Sequence, residues 1–436
     1  MREQGNKIHL RDYMKILFLL QDIPYPPSEG IRWKAYNLIR YLANQHECHV
    51  LSFGDGDMVR AKYFLGEVPT VHVIDVIPFP KPGLGLVLKK IGKILRGLPP
   101  SLAGYDSQLF RQRLEKTVSE CQYDVIHYDI VNMAQYKIYA RGVPSIHSPN
   151  DATSLSCFRK AGQVTNVFIK LHLLISAVLL RIYEREIYPQ FSKVHVVSQV
   201  DRQYLKSINP DIDVETIPIA VDKVFLETRH VSTLERAGMN RGKNITFVGD
   251  LRIQGIVNGL LEFLRKSWPL IRQNHPGVQF RILGRNASPR LHRHLTSLPA
   301  VEYKSWVDDY VDYLKTSDVV VFPEKSGTGI KNRVLQAMAM GLPVVGSPAV
   351  FEGIYVQDGF QKMEIPIQAE FAKAVSQLLD SADRRSSLGD AARKFVHSHY
   401  SMDTVGPRYQ DMYHNVACES AENPHVASRY ATAKTA

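Results

Sequence analysis
A chain of 436 residues is too long for one ordinary hydrophobic core and predicts two domains. Its composition, 44% hydrophobic and 22% charged, is that of a globular enzyme, and a net charge of +11 points to an anionic partner such as a phosphate ligand or a membrane surface. No basic block interleaves with aromatics and no zinc or helix-turn-helix spacing occurs, which excludes nucleic acid as the leading partner.

In chain order, the polar opening MREQGNKIHLRDY has no signal-peptide pattern, and Met14 is a second candidate start before the strand KILFLL (15–20). Residues CHVLSF (48–53), VHVIDVIPF (71–79), DVIHYD (124–129), PSIHS (144–148) and KVHVVS (193–198) read as further strands. Between them, RWKAYNLIRYLANQ and LHLLISAVLLRIYEREIY carry apolar residues at helical spacing. This alternation implies a parallel sheet covered on both faces. LGLVLKKIGKILRG (84–97) reads as a basic amphipathic helix, suited equally to packing on the first domain and to lying on an anionic membrane. VFIKLHLLISAVLL (167–180) is interrupted by Lys170, His172 and Ser176, is too short and polar to span a bilayer, and is expected to be a buried helix. The four cysteines (Cys48, Cys121, Cys157, Cys418) never form a C-x-x-C pair and fit a reducing compartment without disulfides or a structural metal.

Around Asp222 the pattern lapses, so residues 222–243 are a linker candidate. It restarts with NITFVG (244–249), VQFRILG (278–284), VEYKSW (301–306), DVVVFP (318–323) and PVVGSP (343–348). Two doubly wound domains, 14–222 and 244–400, would then face each other across a cleft. Ligands are expected where loops leave the carboxyl ends of the strands. The polar stretch at 417–436 is expected to be disordered.

The densest stretch is SGTGIKNRVLQAMAMGLPVVGSP (326–348). A glycine turn feeding a helix N-terminus presents free N–H groups and the positive end of the dipole, a site for phosphate. Lys331 and Arg333 suit an unoccupied helix start poorly, and a bound anion would resolve that conflict. The P-loop pattern is absent, and no G-x-G-x-x-G follows the first strand, which disfavours a dinucleotide-dependent oxidoreductase. The pairs in HRH (292–294) and HSH (397–399) do not share a helix face, so no metal site is implied.

The 326–348 stretch resembles the C-terminal half of retaining GT-B glycosyltransferases of the family 4 type, in particular an exopolysaccharide-associated branch. YPPSEGIRWKAYNLIRYLA, HSPNDATS, RIYEREIYPQF, VHVVS, FVGDLRI, FRILGR and VFEGI also match that branch in order, over about residues 14–416. The resemblance implies a GT-B fold and a nucleotide-diphospho-sugar donor held by the second domain. It also implies a glycan or lipid-linked acceptor, and a last helix, 407–416, returning to the first domain. Gly329, Ile330, Lys331 and Asn332 would cradle the diphosphate, with Lys331 and Arg285 neutralising it and Gly249 and Asp250 near the nucleotide. Gly30 would approach donor and acceptor, and His127 would point into the cleft as a catalytic residue beside Lys331, although a histidine at a strand end also suits a plain packing role. Asp151 and Ser154 would face the acceptor, although Asp151 also suits a plain helix cap.

The family's two glutamates are replaced here by Thr328 and Gln336. A glutamine carbonyl still accepts hydrogen bonds from ribose hydroxyls, without the charge-assisted strength. In this family the leaving diphosphate takes the acceptor's proton, so the resemblance implies no metal, no cofactor and no obligatory general base. It further implies a cytoplasmic protein at the inner face of a membrane, acting in surface-polysaccharide assembly. A degenerate, non-catalytic GT-B binding or scaffold protein is the alternative that Thr328 and Gln336 motivate.

Overall fold
The computed structural model describes residues 13–27, 30–55, 58–228, 243–325, 329–354, 363–364 and 369–422. In the first domain, β1 (Lys15–Leu20), β2 (Glu47–Gly54), β3 (Val71–Pro78), β4 (Val125–Asp129), β5 (Ser145–Asn150), β6 (Lys193–Val196) and β7 (Val214–Thr216) form one sheet. Its order is β3-β2-β1-β4-β5-β6-β7, and every pairing is parallel. The helices between the strands are α1 (Gly30–Leu42), α2 (Val59–Glu67), α3 (Leu84–Leu95), α4 (Gln108–Glu120), α5 (Thr153–Ala161), α6 (Val167–Ile187) and α7 (Gln199–Ile208).

Side chains alternate across a strand, so β1 serves both faces of the sheet. Ile16 and Phe18 pack with Leu38 and Val50 on one side, while Leu17 and Leu19 pack with Phe53, Phe110 and Tyr128 on the other. Burial on both sides explains why the strands are continuous apolar runs.

After α8 (Lys223–Glu227), the second domain repeats the plan with β8 (Asn244–Asp250), α9 (Gln254–Lys266), α10 (Trp268–Asn274), β9 (Gln279–Arg285), α11 (Pro289–Ser297) and β10 (Val301–Lys304). It continues through α12 (Tyr310–Lys315), β11 (Val319–Phe322), α13 (Asn332–Ala339), β12 (Val344–Gly346), α14 (Pro348–Phe351), β13 (Met363–Glu364), α15 (Ala369–Asp380) and α16 (Ala382–Tyr400). The sheet order is β10-β9-β8-β11-β12-β13. Gly259 lets α9 press onto the end of β11: a Cβ there would lie 1.7 Å from the Pro323 carbonyl oxygen. That close approach fixes where β11 ends and its loop begins.

The last helix, α17 (Met402–Glu422), lies on the first domain. Val405, Tyr409, Met412, Tyr413 and Val416 join the core that contains Phe18 and Leu38. The two chain crossings between domains are tied together, since Val221 N–H donates to the Tyr400 carbonyl at 2.7 Å. Two expectations need correction here. The helix runs to Glu422, so the disordered stretch expected from 417 begins within it, because Ala417 continues the buried face. Residues 423–436 lie outside the described residues. The helix α6 is not buried throughout: Phe168 is 85% exposed and Val167 72%, and burial is confined to its second half at Ala177, Leu180, Tyr183 and Glu184.

Candidate active site
The connection that leaves β8 runs to β9 on one side and the one that leaves β11 runs to β12 on the other, which makes the carboxyl ends of β8 and β11 the switch point of the second sheet. β8 ends at Asp250, and the loop after β11 carries Gly329, Ile330 and Lys331.

Gly329 has φ +62°, a left-handed conformation that favours glycine. Gly353 is pressed against it: a Cβ on Gly353 would sit 2.4 Å from the Gly329 carbonyl oxygen, which explains the glycine in VFEGI. Lys331 is the N-cap residue of α13 and has no side-chain cap bond, and the first turn holds no acidic residue. An N-cap position usually carries a short oxygen-bearing side chain. Lys331 is only 7% exposed, and its Nζ donates to the Gly329 carbonyl at 2.9 Å. Burial pushes its pKa down, partly offset by the nearby Glu324 carboxylate. A charged lysine held out of water at a helix N-terminus is an anion-binding arrangement.

Arg333, also in the first turn, has a different task. Its guanidinium is paired with the buried Glu324 carboxylate, and the Glu324 carbonyl accepts from the Ser347 hydroxyl. Glu324 therefore fastens the loop to both α13 and the start of α14 at Ser347, so Arg333 is a structural cation. Asn332 Oδ1, in the first residue of α13, is buried with no hydrogen-bond partner among the described residues. Ile330 packs against the core around Phe322 and Val334. Gln336, one turn along, is half-buried, and its amide has no partner among the described residues. Thr328 lies outside the described residues.

On the β8 side, Gly249 lies where a Cβ would come 2.9 Å from both Ile256 and the Phe247 ring. Asp250 is ringed by Arg252 at 2.6 Å, Arg285 at 3.3 Å and Asn286 at 3.3 Å. Burial would raise its pKa, but the Arg252 bonds prevail and hold it down at about 2. Arg285, whose side chain is 44% exposed, thus reaches the switch point already paired with Asp250.

The first domain contributes the loop between β5 and α5. Asp151 lies against Gly329, with its carboxyl carbon and Oδ2 each 3.8 Å from where a Gly329 Cβ would be. Two buried carboxylates hold this loop: Asp201 accepts from Ala152 N–H at 2.9 Å, and Glu184 accepts from Ser154 N–H at 2.9 Å. Burial raises both, Glu184 to about 7 and Asp201 to about 6, against the bonds they accept. Ser154 is consequently not an acceptor-facing residue. It is fully buried, and its hydroxyl is occupied by Glu184 and Tyr204. Gly30 opens α1, next to residues 28–29, which are outside the described set.

His127 also differs from expectation. It lies in mid-strand, 1% exposed, with Nδ1 2.6 Å from the Tyr413 hydroxyl and its ring against Phe18. Its direction into the α17 face, set by strand alternation, removes it from the cleft. The charged group that sequence reasoning missed is its neighbour: Asp129 pairs with Lys34 at 3.0 Å, both almost wholly buried. Lys34 Nζ also donates to Ser148 Oγ at 2.7 Å, which in turn lies 2.7 Å from His195 Nδ1.

Across the cleft, Arg159 of α5 makes a two-pronged ion pair with Glu352, at 2.7 and 2.8 Å, one residue from Gly353. It clamps the first domain to the segment that backs the Gly329 loop. Both side chains are about one-third exposed, so the pair is a modest clamp. Arg159→Glu is expected to open the cleft, read as a larger radius of gyration by small-angle scattering. Adding Glu352→Arg should restore the parent value, and an unchanged radius in the single variant would count against the clamp.

Comparisons with known proteins cover both halves. Residues 29–224 match the family described as Glycosyltransferase Family 4, and residues 242–381 match Glycosyl transferases group 1. A search of curated proteins finds no match. Among solved structures, the fold is similar to Anabaena HepE in complex with UDP and glucose, with TM-score 0.64 and 16% identity over 92% of this chain and 99% of that one. Sucrose-phosphate synthase of Thermosynechococcus elongatus gives TM-score 0.64 and 16% identity over 93% and 100%. A glycosyltransferase of Rickettsia africae gives TM-score 0.63 and 13% identity over 92% and 98%.

Proposed function
A chain that joins a Glycosyltransferase Family 4 domain to a Glycosyl transferases group 1 domain on the GT-B fold is a glycosyltransferase, and we propose that its donor is a nucleotide-diphospho-sugar. The observation that carries this is the buried Lys331 at the start of α13, beside the switch point and opposite Asp151. The diphosphate sits on the N–H groups of that helix start, Lys331 neutralises it, and the Gln336 amide meets the ribose. The acceptor, a glycan or a lipid-linked sugar, enters from the Asp151 side. Transfer proceeds with retention on one face of the donor sugar. Positive charge at α13 stabilises the leaving diphosphate, which takes the acceptor's proton. No side chain is asked to act as general base, and neither a metal ion nor another cofactor is part of the scheme. HepE bound to UDP-glucose supports the donor class.

A thermal-shift panel of UDP-, GDP- and ADP-sugars tests the donor, and the anomeric coupling of the product by NMR tests retention. Binding of a donor with no transfer to any acceptor or to water would favour a non-catalytic GT-B protein instead.

The place of action in this proposal is the cytoplasmic face of a membrane, in surface-polysaccharide synthesis. No helix among the described residues is long and apolar enough to cross a membrane. Support for peripheral binding comes from α3, whose apolar stripe faces outward: Leu84, Val87, Leu88, Ile91, Ile94 and Leu95 are all exposed. Its lysines are divided, since Lys93 pairs with Asp106 at 3.0 Å and Lys89 donates to the Asp106 carbonyl at 3.0 Å. Those two fasten the helix and leave Lys90 and Arg96 for lipid. Changing Leu84, Leu88 and Leu95 together to Ser should lower sedimentation with phosphatidylglycerol-containing vesicles by about tenfold or more, given the apolar area removed. Unchanged sedimentation would count against α3.

A further inference from the structure
Residues 165–172, which lead into α6 and form its first turn and a half, are all exposed. Val167, Phe168, Ile169 and Leu171 there are 72%, 85%, 51% and 55% exposed. An amphipathic helix can lie along a surface with its stripe down, as α3 can. Here the exposed residues are apolar on most sides of the helix, with only Lys170 and His172 among them, and an apolar surface that wide favours an apolar medium over water. We infer that the N-terminal end of α6 inserts into an anionic lipid bilayer, as a second anchor distinct from α3.

Three observations fit lipid. First, no acidic residue occurs between Asp151 and Glu184, while Arg159, Lys160, Lys170 and Arg181 do. That one-signed field is complementary to an anionic membrane. Second, the helix start is finished for an apolar setting: Asn166 Oδ1 accepts from Phe168 N–H at 3.0 Å and Ile169 N–H at 3.2 Å. Donors that would otherwise enter lipid unsatisfied are thus covered. Third, Lys170 sits among the apolar residues on a stem long enough to reach the headgroups. The second half of α6, with Ala177, Leu180, Tyr183 and Glu184 buried, roots the projecting end in the domain. Glu184 is also the group that holds the α5 start beside Asp151, so insertion would fix the acceptor-side loop relative to the bilayer.

This inference rests on the peripheral-membrane reading of α3, and two arms separate them. In the first, the full chain carrying Phe168→Ser, Ile169→Ser and Leu171→Ser is sedimented with vesicles of phosphatidylcholine and phosphatidylglycerol, without any sugar donor. Binding should fall by about tenfold or more relative to the parent, while the thermal midpoint stays unchanged because these side chains are exposed. In the second arm, Phe168→Trp should add emission that shifts to the blue on mixing with these vesicles and is quenched by brominated acyl chains. Parent-like sedimentation of the triple variant, or emission in Phe168→Trp that ignores the vesicles, overturns the α6 inference. If the α3 variant still loses binding, the peripheral reading stands without it. A concentration-dependent dimer in lipid-free buffer that the triple variant abolishes would equally overturn it, assigning the face to a second copy of the chain.

Discussion

Lys331→Ala is expected to weaken binding of UDP or GDP by about ten- to a hundredfold, corresponding to the roughly 1.5–3 kcal/mol of a charge-assisted hydrogen bond. The lysine is nearly buried, its Nζ is already directed at the Gly329 carbonyl, and its helix has no acidic residue in its first turn. Burial holds its pKa down in the free protein. A bound diphosphate would favour the charged form, so binding should be accompanied by proton uptake where the free lysine is partly neutral. Removing the side chain deletes that contribution and leaves only the N–H groups and the dipole. Gln336→Ala should be milder, since a neutral hydrogen bond contributes about 0.5–1.5 kcal/mol, and Gln336→Glu should preserve or tighten binding. Titration calorimetry on the three variants decides: parent-like affinity of Lys331→Ala would remove the anion from this loop.

The second large effect lies in the first domain's interior. Asp129→Ala should destabilise the protein by about 3–5 kcal/mol, the usual consequence of leaving one partner of a buried ion pair unopposed. Among the described residues Lys34 would keep only Ser148 as a hydrogen-bond partner, in a site almost closed to water. Replacing both charges, Lys34→Met with Asp129→Leu, should be less damaging than Asp129→Ala alone, because no buried charge is stranded. The pair also has a pH signature. Burial would raise the Asp129 carboxyl, but Lys34 and His127 hold it below its ordinary 3.8. A depressed folded-state pKa contributes stability that is present above 3.8 and is lost as pH falls through the folded value. Denaturant titrations at neutral and acid pH measure both effects, and a parent-like midpoint for Asp129→Ala would show that the pair is not stabilising.

The two-domain architecture was legible because each principal strand is an apolar run between turn residues. β7 and β13 were not, since three and two residues are too few to show a pattern. The Gly329–Lys331 loop was legible from its glycines and its misplaced cation. Its supports were not: Glu324 with Arg333, Asp201 with Ala152 and Glu184 with Ser154 join residues whose partners only the fold brings near. His127 was misjudged because a strand's period of two says that its side chain alternates without saying what covers that face. Here α17 covers it, from the far end of the chain. α6 was misjudged because apolar composition along a helix does not say how far along it neighbouring elements reach, and here they cover only its second half.

The return of α17 to the first domain bears on how the chain emerges from the ribosome. Domains usually fold as units in order of synthesis. Here the side of the first sheet around Phe18 and His127 stays uncovered until Tyr409, Met412 and Tyr413 have been translated. The earliest domain is therefore the last to be sealed, and a nascent chain halted before residue 402 would present that apolar face to chaperones.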